Sequence, residues 1–243
     1  MSHWYGAQRA LDTVSLTVPS GGVLAIVGES GSGKTTVLRC FNRLVDPRQG
    51  SITIDGQPVR DEPVEQLRRR IGYVPQHGGL LPHWTIRRNV ALVPVLSGAG
   101  DARRAADEAL GMVGLDPHRF GDRLPRELSG GQRQRAALAR AFAARQEVVL
   151  LDEPFGALDA ISRSDVHETF EAVRRELAFT ALLVTHDLAE AARLADRIAV
   201  MRNGRVEQEG AVAEVQRSPA SPYVAELFAR AQAAHAALAG AGR

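Results

Sequence analysis

The octapeptide Gly28-Glu29-Ser30-Gly31-Ser32-Gly33-Lys34-Thr35 concentrates three glycines, a lysine and hydroxyls in one short segment. It fits the spacing G-x-x-x-x-G-K-[ST]. Glycines let the backbone curl so that successive N–H groups face one anion, and a helix N-terminus adds partial positive charge. An ammonium at Lys34 reaches phosphate oxygens as a point charge, and the Thr35 hydroxyl suits Mg²⁺. The chemistry is that of holding a polyphosphate; the competing reading is a ligand-free Gly-rich turn between a strand and a helix. Composition adds weight to the first. Of 30 basic residues, Lys34 is the sole lysine and the other 29 are arginine. The arginine excess reads as compositional bias. The exception falls where a compact ammonium serves and a planar guanidinium does not.

Two further constellations carry chemistry. The run Val148-Val149-Leu150-Leu151-Asp152-Glu153 is an apolar strand ending in two carboxylates. At the carboxyl edge of a parallel sheet, Asp152 is suited to hold Mg²⁺ through water and Glu153 to polarise an attacking water. Taken alone, the same pair reads equally well as a helix N-cap. Leu128-Ser129-Gly130-Gly131-Gln132 opens a helix expected from about Gln132 to Ala144 and makes a second anion site. One nucleotide does not need two such sites in one subunit, whereas two chains facing head-to-tail could each lend this site to the other's ATP.

The elements that must position these groups follow from apolar patterning. Strand-length apolar runs at residues 23–27, 51–54, 71–74, 147–151, 181–184 and 198–201 alternate with helical spacing, which predicts a mainly parallel α/β sheet. A helix is expected from Lys34 to about Leu44, and hairpin turns at Asp55-Gly56 and Asn203-Gly204. Residues 82–145 are rich in Ala and Arg with few strand signals. They form a helical subdomain between the two parts, 1–81 and 146–243, of one core. Residues 223–243 read as an Ala-rich helix ending loosely at 240–243.

Composition removes other classes. One cysteine, Cys40, excludes an internal disulfide. No apolar stretch reaches the roughly 18 residues of a membrane span, and the first residues lack the apolar core of a signal peptide. A net charge of +2 gives no strong nucleic-acid footprint.

Taken together, these motifs resemble the ATP-binding subunit of ABC transporters over nearly the whole chain. Gly28–Thr36, including Thr36, looks like Walker A. Gln76 in Tyr-Val-Pro-Gln looks like the Q-loop, and Ser129-Gly130-Gly131-Gln132 like the signature. Asp152 and Glu153 look like Walker B and its catalytic base, Ala157-Leu158-Asp159 like the D-loop, and His186 in Val-Thr-His-Asp like the switch histidine. The resemblance implies a P-loop NTPase core with an antiparallel β edge. It also implies ATP and Mg²⁺ as cofactors and a head-to-tail homodimer sandwiching two ATP. Glu153 would activate water and His186 would contact the γ-phosphate. Gln76 would sense Mg²⁺ and a transmembrane permease at the cytoplasmic face of the membrane. Tyr5 aligns with the adenine-stacking aromatic, but only four residues precede it, so the family's usual preceding strand is expected to be missing or the N-terminus to be a loose end.

Residues 40–44, 78–85, 89–94 and Phe155-Gly156-Ala157-Leu158-Asp159 are similar to importers of quaternary-amine osmoprotectants such as glycine betaine, choline and carnitine. Such importers work with a substrate-binding protein. Many members of that group continue into a C-terminal regulatory domain; here the chain stops at Arg243, and no regulation in cis is expected. Residues 76–89 should face the permease, with Leu81 and Trp84 as anchors, or else pack inside the subunit. Two alternatives stay open. One is the ATPase of an amino-acid or oxyanion importer. The other is a soluble ABC ATPase of nucleic-acid metabolism, which the absence of a long heptad run or second cassette disfavours.

Overall fold

The computed structural model describes residues 1–240, with side chains described as far as residue 233. The loose end expected at 240–243 therefore falls, past Gly240, outside the described residues. In chain order the elements are β1 (His3–Tyr5), β2 (Gln8–Leu11), β3 (Val23–Val27), α1 (Lys34–Phe41), β4 (Thr53–Ile54), β5 (Gln57–Pro58), α2 (Val64–Arg70) and β6 (Ile71–Val74). Then come α3 (Ile86–Val90), α4 (Leu92–Leu96), α5 (Ala102–Met112), α6 (Pro117–Phe120), a 3₁₀ turn (Pro125–Glu127), α7 (Gly130–Phe142), β7 (Val148–Asp152), α8 (Ala160–Leu177) and β8 (Thr180–Val184). The chain continues through α9 (Leu188–Leu194), β9 (Arg197–Arg202), β10 (Arg205–Ala211), α10 (Val212–Arg217) and α11 (Pro222–Gly240). The architecture is mixed α/β, with mostly parallel pairing and an antiparallel edge.

Two compact units divide the chain. The first comprises Met1–Asp61 and Leu182–Arg243. Its strand β3 pairs in parallel with β9, and β9 pairs antiparallel with the edge strand β10. All five residues of β3 are buried, which is why VLAIV reads as an unbroken apolar run rather than an alternating one. The β9–β10 turn uses Asn203 (φ 49°) and Gly204 (φ 77°), both in the left-handed region that a two-residue hairpin turn demands. Ala25, Val27, Ile198 and Val200 pack with Leu188 and Ala191 of α9 and with Tyr223, Val224 and Phe228 of α11. Cys40 of α1 is fully buried.

The N-terminus departs from the sequence expectation. His3–Tyr5 is itself a strand, paired antiparallel with β2 through a bulge between His3 and Trp4. A bridge from Ser2 to Gln49 and a hydrogen bond from the Met1 amino group to Val14 O tie it down. Three residues with polar and aromatic side chains show no period-2 signature, so the pairing is set by these long-range bonds.

The second unit is Glu62–Ala181. Here β6 and β7 pair in parallel, Ile71 beside Val148 and Val74 beside Leu151. Phe142 stacks on Phe179 at 5.0 Å, and Phe170 meets Phe179 edge-on at 5.7 Å, forming an aromatic core. Arg87, on α3, donates to Asp107 (2.6 Å), to Asp122 and to Pro117 O (2.7 Å), knitting the helices of residues 82–145.

Candidate functional site

In the first unit, β3 runs straight into the glycine loop. Gly28 has φ 145°, and a Cβ there would stand 2.1 Å from Met201 O; Gly33 has φ 103°, and its Cβ would meet Ala10 O at 2.6 Å. No other residue fits either position. Lys34, only 6% exposed, opens α1. Its Nζ donates to Gly28 O (2.9 Å) and Glu29 O (2.8 Å), so the loop wraps the ammonium. Ser32 N donates to Glu29 O (3.2 Å), and the hairpin turn props the loop from behind through Gly204 N to Ser32 O (3.0 Å). Glu29 and Ser30 are exposed at the loop's outer face, Thr35 is half-buried and Thr36 is buried within α1.

His186 follows β8 and is exposed. Thr185 N donates to Ile26 O (3.1 Å), which brings the exits of β8 and β3 side by side. Thr185 Oγ1 accepts from Asp187 N, and Asp187 caps α9 by accepting from Ala189 N and Glu190 N. The turn around His186 is thus pinned on both sides. Tyr5, at the end of β1, is 46% exposed with its ring edge-on to His3.

In the second unit, Asp152 ends β7 and is 4% exposed. Glu153 follows with φ 46°, a left-handed conformation unusual for a glutamate. Such strain is retained where neighbours over-determine it. Phe155, fully buried, anchors the segment by packing edge-on against His167 at 4.6 Å. Gln76 Nε2 donates to Glu153 Oε2 at 3.2 Å, joining two residues 77 positions apart. The segment after Gln76 is held by Arg140, whose guanidinium donates to Gly78 O (2.8 Å) and Gly79 O (2.6 Å). Burial lowers the Arg140 pKa, so the two carbonyls compensate a cation partly withdrawn from water.

Ser129 caps α7 reciprocally. Its Oγ accepts from Gln132 N (3.3 Å), while Gln132 Oε1 accepts from Ser129 N (3.0 Å). The helix begins at Gly130, two residues before the position expected from sequence, because this box recruits both glycines. Gly130 is exposed, and Gly131 is buried against Ser162 of α8. Asp159 caps α8 through Ser162 N (2.9 Å); that bond holds its carboxyl below the usual range.

Residues 81–85 fold around a side chain that sequence did not single out for chemistry. Asn89 is fully buried; its Nδ2 donates to the carbonyls of Leu81 (3.1 Å), Trp84 (3.1 Å) and Thr85 (3.0 Å), and its Oδ1 accepts from Leu81 N (2.7 Å). Leu81 and Trp84 are both half-buried, and Arg88 stacks over the Trp84 ring at 4.1 Å. Tyr223 is the other residue missed: its hydroxyl accepts from Glu29 N at 3.2 Å across 194 residues. No local pattern announces a bond to a backbone amide that distant.

With this geometry in view, residues 11–156 match the ABC transporter family model. The chain belongs to the ABC transporter family. Within it, the chain is homologous to ATP-binding subunits of osmoprotectant importers. It is 42% identical over 227 residues to the glycine betaine/carnitine/choline transport ATP-binding protein OpuCA of Bacillus subtilis, covering 93% of this chain and 60% of that protein. It is 41% identical to the glycine betaine uptake system ATP-binding protein YehX of Escherichia coli, covering 96% of this chain and 76% of that one. Among solved structures, the ATP-binding cassette MJ0796, a dimer in a post-hydrolysis state with ADP and Pi, matches with a TM-score of 0.77 and 33% identity, over 87% of this chain and 95% of that chain. The chain spans 57–60% of the length of the first curated relatives it matches. Among the described residues, no helix is long and apolar enough to cross a membrane.

Proposed function

We propose that this chain is the ATP-hydrolysing subunit of a membrane importer for quaternary-amine osmoprotectants, working as a head-to-tail pair of copies beneath a permease. The observation that carries it is the caged Lys34 inside a loop whose glycines admit no side chain. The ammonium is already withdrawn from water and held by carbonyls that a phosphate would replace.

Thr35 and Asp152 offer hard oxygen donors of the kind Mg²⁺ prefers, with phosphate oxygens and water completing such an ion's shell. When bound, Mg²⁺ neutralises developing charge on the transferred phosphoryl group. Glu153 accepts the proton of the attacking water. Gln76, bonded to Glu153, holds that carboxylate in place, and its exposed segment makes the grip responsive to a partner. His186 contacts the γ-phosphate, and Tyr5 stacks on adenine. Ser129, Gly130, Gly131 and Gln132 present a capped helix start to the ATP of the opposite copy, with Asp159 beside them across the same interface. A substrate-binding protein delivers the solute to the permease. The osmoprotectant class rests on homology to OpuCA and YehX, since this subunit does not touch the solute.

Glu153→Gln tests the reading. It keeps the Gln76 contact but removes the base. ATP turnover should fall at least a hundredfold while ATP now traps a dimer seen by light scattering; unchanged turnover would remove Glu153 from the mechanism. In cells dependent on this chain, the same variant should abolish glycine betaine uptake and leave sulfate uptake untouched. The reverse pattern would reassign the solute.

A further inference from the structure

The phosphate loop is held from within by Lys34 and from behind by Gly204, yet its second residue, Glu29, has a third support outside both. Glu29 N donates to the hydroxyl of Tyr223, the second residue of α11. The tyrosine is 8% exposed, its ring lies in the core formed by Val27, Val200 and Phe228, and the Arg202 guanidinium sits over its face at 4.5 Å. Its position is therefore fixed by packing and by a cation–π contact independent of the hydroxyl. Burial raises the phenol above its ordinary pKa, so the oxygen meets Glu29 N with its proton in place throughout the neutral range.

We infer that Tyr223 is a positioning residue for the nucleotide site, holding the Glu29 peptide so that Lys34 and the loop amides keep their phosphate-binding geometry. The Glu29 residue is gripped on both sides of its Cα. Its N–H goes to Tyr223, and the Glu29 carbonyl takes both Lys34 Nζ and Ser32 N. Flanked by Gly28 and followed by Gly31, this segment has little conformational restriction of its own. Without the hydroxyl, the Glu29 N–H loses its anchor, and reorganisation falls on the nucleotide when it binds. The inference deepens the proposed ATPase reading and rests on it. It makes α11, which carries none of the family motifs, a determinant of nucleotide affinity.

Tyr223→Phe deletes one oxygen and keeps the ring beneath Arg202. Mg-ADP titrated calorimetrically into the full chain should bind about fivefold more weakly, the scale of one net hydrogen bond. In the nucleotide-free protein, amide exchange over residues 28–33 should accelerate while β3 and β9 keep their protection. In turnover, KM for ATP should rise more than kcat falls. A purely structural tyrosine would instead lower protection throughout the first unit and leave ADP affinity unchanged, and that result overturns the inference. So does wild-type behaviour in every readout. Wild-type and Lys34→Ala chains are titrated alongside. Failure of wild type to bind would sink the nucleotide reading and this inference together, whereas normal binding lost in Lys34→Ala isolates Tyr223.

Discussion

At the scale of single residues, the lysine stands out because its surroundings leave no latitude. Two carbonyls at 2.8–2.9 Å take two of the ammonium's three N–H donors, and at 6% exposure the side chain has little water around it. A guanidinium has five N–H donors in a rigid plane and cannot fold into that cage. Lys34→Arg should therefore cost more than tenfold in ADP affinity although the charge is kept; calorimetric affinity within twofold of wild type would refute the cage argument. The position of Lys34 was legible because motif and composition agree there. The backbone of Glu153 was not, since a strand ending in Asp-Glu looks the same whether the glutamate is extended or left-handed. The Gln76–Glu153 bond was equally hidden, being a matter of side-chain reach across 77 positions.

Among the elements, buried strands announced themselves. VLAIV, IGYV and the runs of β7 through β9 lie within a residue or two of their expected limits because full burial leaves a contiguous apolar signature. Hairpin turns with local chemistry were nearly as clear, as at Asn203-Gly204. What stayed dark was the pairing of β1 with β2, which depends on distant backbone, and the early start of α7, fixed by the local Ser129–Gln132 box. The segment 81–89 shows what such hidden bonds contribute. Asn89→Ala would orphan a backbone N–H and relax three carbonyls around a fully buried site. It should destabilise the protein by about 2–4 kcal/mol, read as a lower urea midpoint at unchanged m. A shift below about 0.5 kcal/mol would mean that the segment holds itself without the asparagine.

For the whole molecule, family membership was legible from spacing, whereas the pairing of copies follows from the idea that one chain cannot complete its own site. That idea has a sharp consequence for mixed dimers. Place Lys34→Ala on one copy and Ser129→Ala on the other. If sites are composite, both lesions fall in the same site, the second site stays intact, and trapped ATP approaches half of normal. Place both on one copy and each site carries one lesion. Self-contained sites give the opposite ranking, so counting nucleotide retained by the two arrangements decides between them.

The buried Cys40 gives the experimenter a clean background. Burial, with Asp46 adding to it, pushes its thiol up to about 11, so at neutral pH the side chain stays in its unreactive thiol form. Maleimide dyes or spin labels attached to a newly placed surface cysteine would need no prior removal of the native one. Motions of this subunit could be followed spectroscopically in a protein otherwise unaltered.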